Sequence, residues 1–150
     1  MGYSSFSSSS PSIDGFSFNI YVQTDQPLFE EVYPRLAIGL MREINSILPS
    51  DKTPYYPQLF SLSFNGVTAQ YFDSRVYLEE SVGLLFMNDK TFSDRNLWNY
   101  GVSLSFLAGL DRRNFNLQGW QTGIGAEYGL TFNGFLPSYL NVYLQFQYNF

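Results

Sequence analysis

Residues 139–150 read YLNVYLQFQYNF, with Leu140, Val142, Leu144, Phe146, Tyr148 and Phe150 on one parity and Asn141, Tyr143, Gln145, Gln147 and Asn149 on the other. A period of two is that of a β-strand whose faces meet different surroundings, because successive side chains leave the backbone on opposite sides. Two stretches before it follow the same rule. Tyr100, Val102, Leu104, Phe106, Ala108 and Leu110 alternate with Gly101, Ser103, Ser105 and Gly109, interrupted only by Leu107. Trp120, Thr122, Ile124, Ala126, Tyr128, Leu130 and Phe132 alternate with Gln121, Gly123, Gly125, Glu127, Gly129 and Thr131.

Alternation alone does not name the solvent, but length and sidedness do. A strand needs about 9 to 11 residues to cross a bilayer at a tilt near 45°, whereas strands of soluble domains average about 5 to 6. All three runs are at least that long, and their polar faces are rich in Gly, Ser and Gln rather than in charge. Aromatic residues make up 19% of the chain and charged residues only 14%, against about a quarter charged in an ordinary soluble domain. No run approaches the roughly 18 to 20 apolar residues of a transmembrane helix, so any crossing must be made by strands. The 150 residues amount to one domain. A net charge of -5 removes the attraction that drives nucleic-acid binding, and nucleic acid is not expected as a partner.

Upstream, Phe16, Phe18, Ile20 and Val22 mark a first strand, and Val76, Leu78, Val82, Leu84 and Phe86 mark another. Glu80 shares the parity of that second set, and a bulge near Glu79 and Glu80 would re-aim its carboxylate. Between residues 58 and 72 the apolar parity changes at Asn65-Gly66, which reads as a bulge in one long strand or as a type I′ hairpin between two short ones. Residues 33–48 read as a strand, although Leu36, Leu40, Ile44 and Leu48 also recur at helical spacing. The count is seven spans. Bacterial single-chain barrels have an even number, so either one strand is hidden near Asn65-Gly66 or the N-terminus, or these are the C-terminal strands of a larger barrel. Residues 1–12, in which six of the seven positions from Ser4 to Ser10 are Ser, read as a flexible tether; residues 13–150 form the barrel domain. The opening lacks a basic n-region and an apolar h-region, so export implies a leader already removed.

Connection lengths offer a further check, because membrane barrels pair short periplasmic turns with longer outer loops. Residues 73–74 and 111–113 look short, and 48–57 and 88–97 look long, in alternating order. Residues 133–138 are short for an outer loop and 24–32 long for a periplasmic turn.

The final segment, through Val142, Leu144, Phe146, Tyr148 and the terminal Phe150, resembles the C-terminal β-signal of bacterial outer-membrane β-barrel proteins. The resemblance implies an all-β, antiparallel transmembrane barrel in a Gram-negative outer membrane, and the chain length fits about eight strands with their connections. It further implies recognition of this strand by the barrel assembly machinery, pairing of this strand with the first strand, and outer-membrane lipid as surroundings. It identifies no subfamily. Enzymes built on small barrels of this kind, such as lipid A deacylases, omptin proteases and outer-membrane phospholipases, rely on an active-site His.

This chain has no His and no Cys, which removes Ser-His-Asp triads, thiol nucleophiles and His- or Cys-held metals. Adjacent carboxylates at Glu30-Glu31 and Glu79-Glu80 point to opposite faces of a strand and cannot act as a dyad. The expectation is a non-enzymatic protein without cofactor, in a structural, pore or protein-interaction role. The lumen candidates are Arg75, Glu79, Glu127, Gln145 and Gln147, with Glu43 and Gln121. About eight strands leave an interior just filled by side chains, so a hydrogen-bonded plug is favoured over a porin-like path, with Glu79 or Glu127 paired to Arg75 or another lumen base. Tyr55, Tyr56, Trp98, Tyr100, Trp120, Tyr128, Tyr139 and Tyr148 are candidates for aromatic girdles. Asp51, Asp89 and Asp94 lack the ordered spacing of a calcium loop. The rival reading is a soluble, secreted barrel of lipocalin type, in which Phe106, Leu130 and Phe146 face an apolar ligand inside.

Overall fold

Eight strands follow one another along the chain: β1 (Gly2–Ser7), β2 (Ile13–Gln23), β3 (Tyr33–Glu43), β4 (Gln58–Tyr71), β5 (Val76–Lys90), β6 (Leu97–Asp111), β7 (Gly119–Thr131) and β8 (Ser138–Asn149). They come from a computed structural model that describes residues 1–7, 12–44, 57–72, 74–91, 97–113, 118–132 and 137–150. Each strand pairs antiparallel with the next, and β1 pairs with β8 from Gly2↔Tyr143 to Ser7↔Ser138, so the sheet closes into a barrel. Closure removes the exposed edges that an open sheet would present.

The hidden strand is β1. The Ser-rich opening expected to be a tether is a strand over Gly2–Ser7, while 8–11 lie outside the described residues. Its low complexity conceals it because the lumen beside it takes small side chains: Ser4 is fully buried and lies opposite Asn141 of β8. With β1 the count is even, and the strands close without others from a larger barrel.

Two expected irregularities are absent. The β4–β5 ladder runs without a break from Gln58↔Lys90 to Tyr71↔Tyr77, so Asn65-Gly66 is neither bulge nor hairpin. The apparent parity switch arises because Val67 faces inward and is buried, while Gly66 and Thr68 continue the outward face. Glu80 is likewise not re-aimed, since Thr68↔Glu80 and Ala69↔Glu79 are consecutive pairs; its carboxylate points outward. The 33–48 region is strand through Glu43, and residues 45–48 lie outside the described residues. Pairing with β2 and β4 along nearly its whole length overrides the helical spacing of its leucines.

The apolar parity faces outward around the barrel. Leu104, Phe106, Ile124, Val142, Leu144 and Phe146 are 44–67% exposed. That orientation overturns the lipocalin-type alternative, which requires the same side chains inside. Inward positions are small or polar over much of the wall; six hydrophobic lumen residues, Phe6, Met41, Leu59, Leu85, Met87 and Tyr139, form a buried cluster at one end, and Val67, Tyr77 and Leu107 are buried nearer the other.

The connections at the end that carries Phe150, here the proximal rim, are 24–32, 72–75 and 112–118; those at the distal rim are 8–12, 44–57, 91–96 and 132–137. The 24–32 link is long because it ends in a small hairpin. Phe29 and Val32 bridge, with Glu30 at φ 47°. Asp111 belongs to β6, so the link after it is longer than the expected three-residue turn.

Candidate functional site

Lumen-facing positions of the strands place three polar groupings inside the wall. Position 35 is the third residue of β3 and points inward, where Arg35 is only 5% exposed. Its Nη1 donates to Glu79 Oε1 at 2.7 Å and its Nη2 to Glu79 Oε2 at 2.8 Å. The guanidinium also donates from Nε and Nη2 to Gln23 Oε1, at 2.9 and 2.5 Å, and its carbon lies 4.4 Å from the centroid of the Tyr21 ring. A two-pronged bond of this kind matches the flat fork of arginine to both carboxylate oxygens. Glu79 is thus paired with a lumen base, but the base is Arg35.

Arg75, expected in the lumen, is exposed in the β4–β5 link, where its carbonyl accepts a hydrogen bond from the Asp111 amide at 2.7 Å. β5 begins only at Val76, so the side chain of residue 75 lies beyond the ladder that would have aimed it inward. Arg35 escaped notice for the opposite reason: it lies in the one stretch whose period was ambiguous. Its signal was parity with Ala37, Gly39 and Met41, all inward.

The second grouping crosses the proximal rim. Arg113 binds Asp111 through Nε and Nη2, at 3.0, 2.9 and 2.6 Å, and donates to the Tyr71 hydroxyl at 2.7 Å. These bonds to Asp111 hold the Arg113 guanidinium above its ordinary pKa. Gln121 donates to Asp111 at 3.1 Å and accepts from Asn149 at 2.9 Å, Gln147 donates to Asn149 at 2.8 Å, and Tyr21 donates to Gln147 at 2.8 Å. Gln121 and Gln147, both expected in the lumen, are therefore links in a continuous hydrogen-bonded chain from Tyr71 to Tyr21. Beyond it, the Tyr21 ring meets the Arg35 guanidinium by a face contact.

The third grouping lies between that network and the distal apolar cluster. Ser81 and Ser105 share a hydrogen bond of 2.7 Å, Ser103 donates to Asn65 at 2.7 Å, and Ser17 donates to Asn141 at 2.6 Å. Glu127 accepts from the Tyr139 hydroxyl. Gln145 is 5% exposed, and its Nε2 has no hydrogen-bond partner. Glu43 shares the inward parity of β3 at its distal end.

Three lumen tyrosines sit opposite glycines on the neighbouring strand: Tyr77↔Gly109, Tyr139↔Gly129 and Tyr143↔Gly125. A Cβ at Gly125 would stand 2.8 Å from Tyr143 Cζ, and one at Gly109 would stand 2.5 Å from Tyr77 Cζ. Glycine at these positions is the space into which each ring folds, which explains the Gly-rich inner faces of β6 and β7.

Of the expected girdle residues, Trp98, Tyr100, Trp120, Tyr128 and Tyr148 face outward, Tyr139 faces the lumen instead, and Tyr55 and Tyr56 lie outside the described residues. Phe60 meets Trp98 and Tyr100 meets Phe132 toward the distal rim; Trp120 meets Tyr148, and Tyr148 meets Phe150, at the proximal rim. Of the loop acids, Asp51 and Asp94 lie outside the described residues, and Asp89 accepts a 2.8 Å bond from the Thr91 amide.

The solved crystal structure of Neisserial surface protein A matches 99% of this chain and 92% of its own, with a TM-score of 0.65 and 13% sequence identity. The two chains share a fold. At that identity the likeness carries architecture only. No protein-family model matches the chain, and no curated protein matches its sequence.

Proposed function

We propose that this protein is an integral outer-membrane β-barrel whose lumen is closed, so that it works as a membrane-embedded structural or interaction module rather than as a pore. The observation that carries the reading is the pairing of an outward apolar band with an interior blocked toward both ends. Strands of up to fifteen residues exceed the length needed to cross a bilayer, and their outer faces are hydrocarbon and aromatic. Inside, the Tyr71-to-Tyr21 chain spans the proximal rim and the cluster around Met41 and Met87 occupies the distal end. An interior of about eight strands is narrow enough for side chains to fill. The fold shared with a surface protein agrees with an outer-membrane address, as does the C-terminal strand through Phe146, Tyr148 and Phe150, read as the signal for the assembly machinery. A chain without His or Cys fits a non-enzymatic role.

Reconstitution in a planar bilayer tests this. The purified protein should need detergent, migrate differently on gels before and after heating, and give no steady conductance. A double Leu85→Gly, Met87→Gly variant, which empties part of the distal cluster, should conduct more than the parent. Stable open channels in the unaltered protein would overturn the closed-lumen reading, and full solubility without detergent would overturn the membrane reading.

A further inference from the structure

Beyond closure, the lumen keeps a polar space. A cavity of about 250 Å³ is bordered by Glu127, Asn19, Gln145, Tyr143 and Ser105, and also by Arg35 and, at its mouth, by Met1, whose ammonium donates to the Leu144 carbonyl. Two ion pairs in the wall are Arg35–Glu79 and Arg113–Asp111, and Arg35 is held by Glu79 and Gln23 together. Among the described residues, the neutral Tyr139 hydroxyl is the donor to Glu127. Arg35 borders the same space, but its guanidinium is committed to Glu79, so Glu127 is a part-buried carboxylate with no ion pair of its own among the described residues, a costly arrangement. Two further atoms on the same cavity are unmet: the Nε2 donor of Gln145, itself 5% exposed, and the Oδ1 acceptor of Asn19.

We infer that this cavity binds a small primary ammonium carrying a nearby hydroxyl or carbonyl oxygen. The ammonium charge answers Glu127, its remaining N–H groups suit Asn19 Oδ1, and the oxygen accepts from Gln145 Nε2. A divalent metal fits poorly, because calcium takes six to eight oxygens, usually from several carboxylates, and Gln145 presents a donor. A quaternary ammonium offers nothing to Asn19. The volume is several times the roughly 30 Å³ share of one water molecule. The outward-facing Phe18, Leu144 and Phe146 also border the cavity, so hydrocarbon adjoins the polar space. The same chemistry can therefore arrive as a free amino alcohol or as the aminoethyl headgroup of a lipid.

Calorimetric titration of 2-aminoethanol into the full chain folded in detergent should show saturable one-to-one binding. Glu127→Gln and Gln145→Leu, each keeping heat-modifiable migration, should weaken it at least tenfold, and tetramethylammonium should give no saturable heat. In a second arm, phosphatidylcholine vesicles with and without phosphatidylethanolamine are compared. A higher heat-modification midpoint with phosphatidylethanolamine, lost in Glu127→Gln, assigns the site to a headgroup; binding of free 2-aminoethanol alone assigns it to a soluble amine. Absence of both responses in the unaltered protein overturns the inference, as does an unchanged response in both variants. Neither result depends on conductance, so the site and the closed-lumen reading fail separately.

Discussion

At the scale of single residues, the lumen is decided by pairs that only parity and register bring together. Arg35 and Glu79 are distant in sequence yet form a two-pronged ion pair inside the wall. Removing one partner leaves an uncompensated buried charge, which costs about 3 to 5 kcal/mol, whereas replacing both with apolar residues is far milder. Arg35→Met and Glu79→Leu alone should each lower the urea midpoint of the detergent-folded barrel sharply, and the double variant should recover much of the loss. The glycines opposite tyrosines make the complementary case. Gly125→Ala forces a methyl against Tyr143, and overpacking of this kind costs about 1 to 3 kcal/mol. The loss should shrink in a Gly125→Ala, Tyr143→Leu double variant, measured by the same unfolding curve. Glu127, Gln145 and Gln147 were legible as lumen groups because they stand on clean alternating strands, and Glu79 was legible by parity despite the apolar-face Glu80 beside it. Arg35 was not, because its segment satisfied two periods at once, and Arg75 misled because a strand start displaced by one residue removes the aim of its side chain.

At the scale of the element, period two named β2, β5, β6, β7 and β8 because each meets contrasting environments on its two faces. β1 lay hidden because serines can fill a crowded lumen without announcing a face. The Asn65-Gly66 signal failed for a related reason: Val67 packs inward, and a local apolar residue on the polar face looks like a change of register. The outward faces carry their own prediction. Ile124 is 58% exposed in the middle of β7, and Arg on the lipid face of a barrel costs about 2 to 4 kcal/mol near the bilayer midplane. Ile124→Arg should therefore cut the folded fraction in vesicles, while the inward neighbour change Gly123→Ser acts through packing against Leu107 and the Ala108 carbonyl. For β8, Phe150→Ser with Tyr148→Ser should lower the assembled fraction in cells, yet leave refolding from urea into detergent nearly unchanged, because the signal reading assigns these residues to recognition. Equal loss in both settings would make them structural instead.

At the scale of the whole molecule, alternation, strand length and scarcity of charge pointed to a barrel, and register with closure completed it. What the sequence left open was the contents of the barrel, since plug and pore use the same polar residue types and differ only in whether they meet. The account stands on one geometric claim: the even-numbered residues of β6 face hydrocarbon and the odd-numbered ones face the lumen. The chain has no cysteine, so single cysteines placed in turn at positions 102–110 can each carry one fluorophore in reconstituted vesicles. Quenching by lipid-borne nitroxides should rise and fall with a period of two, strong at 102, 104, 106, 108 and 110 and weak at 103, 105, 107 and 109. Quenching that is uniformly absent, or strongest at the odd positions, would contradict the account.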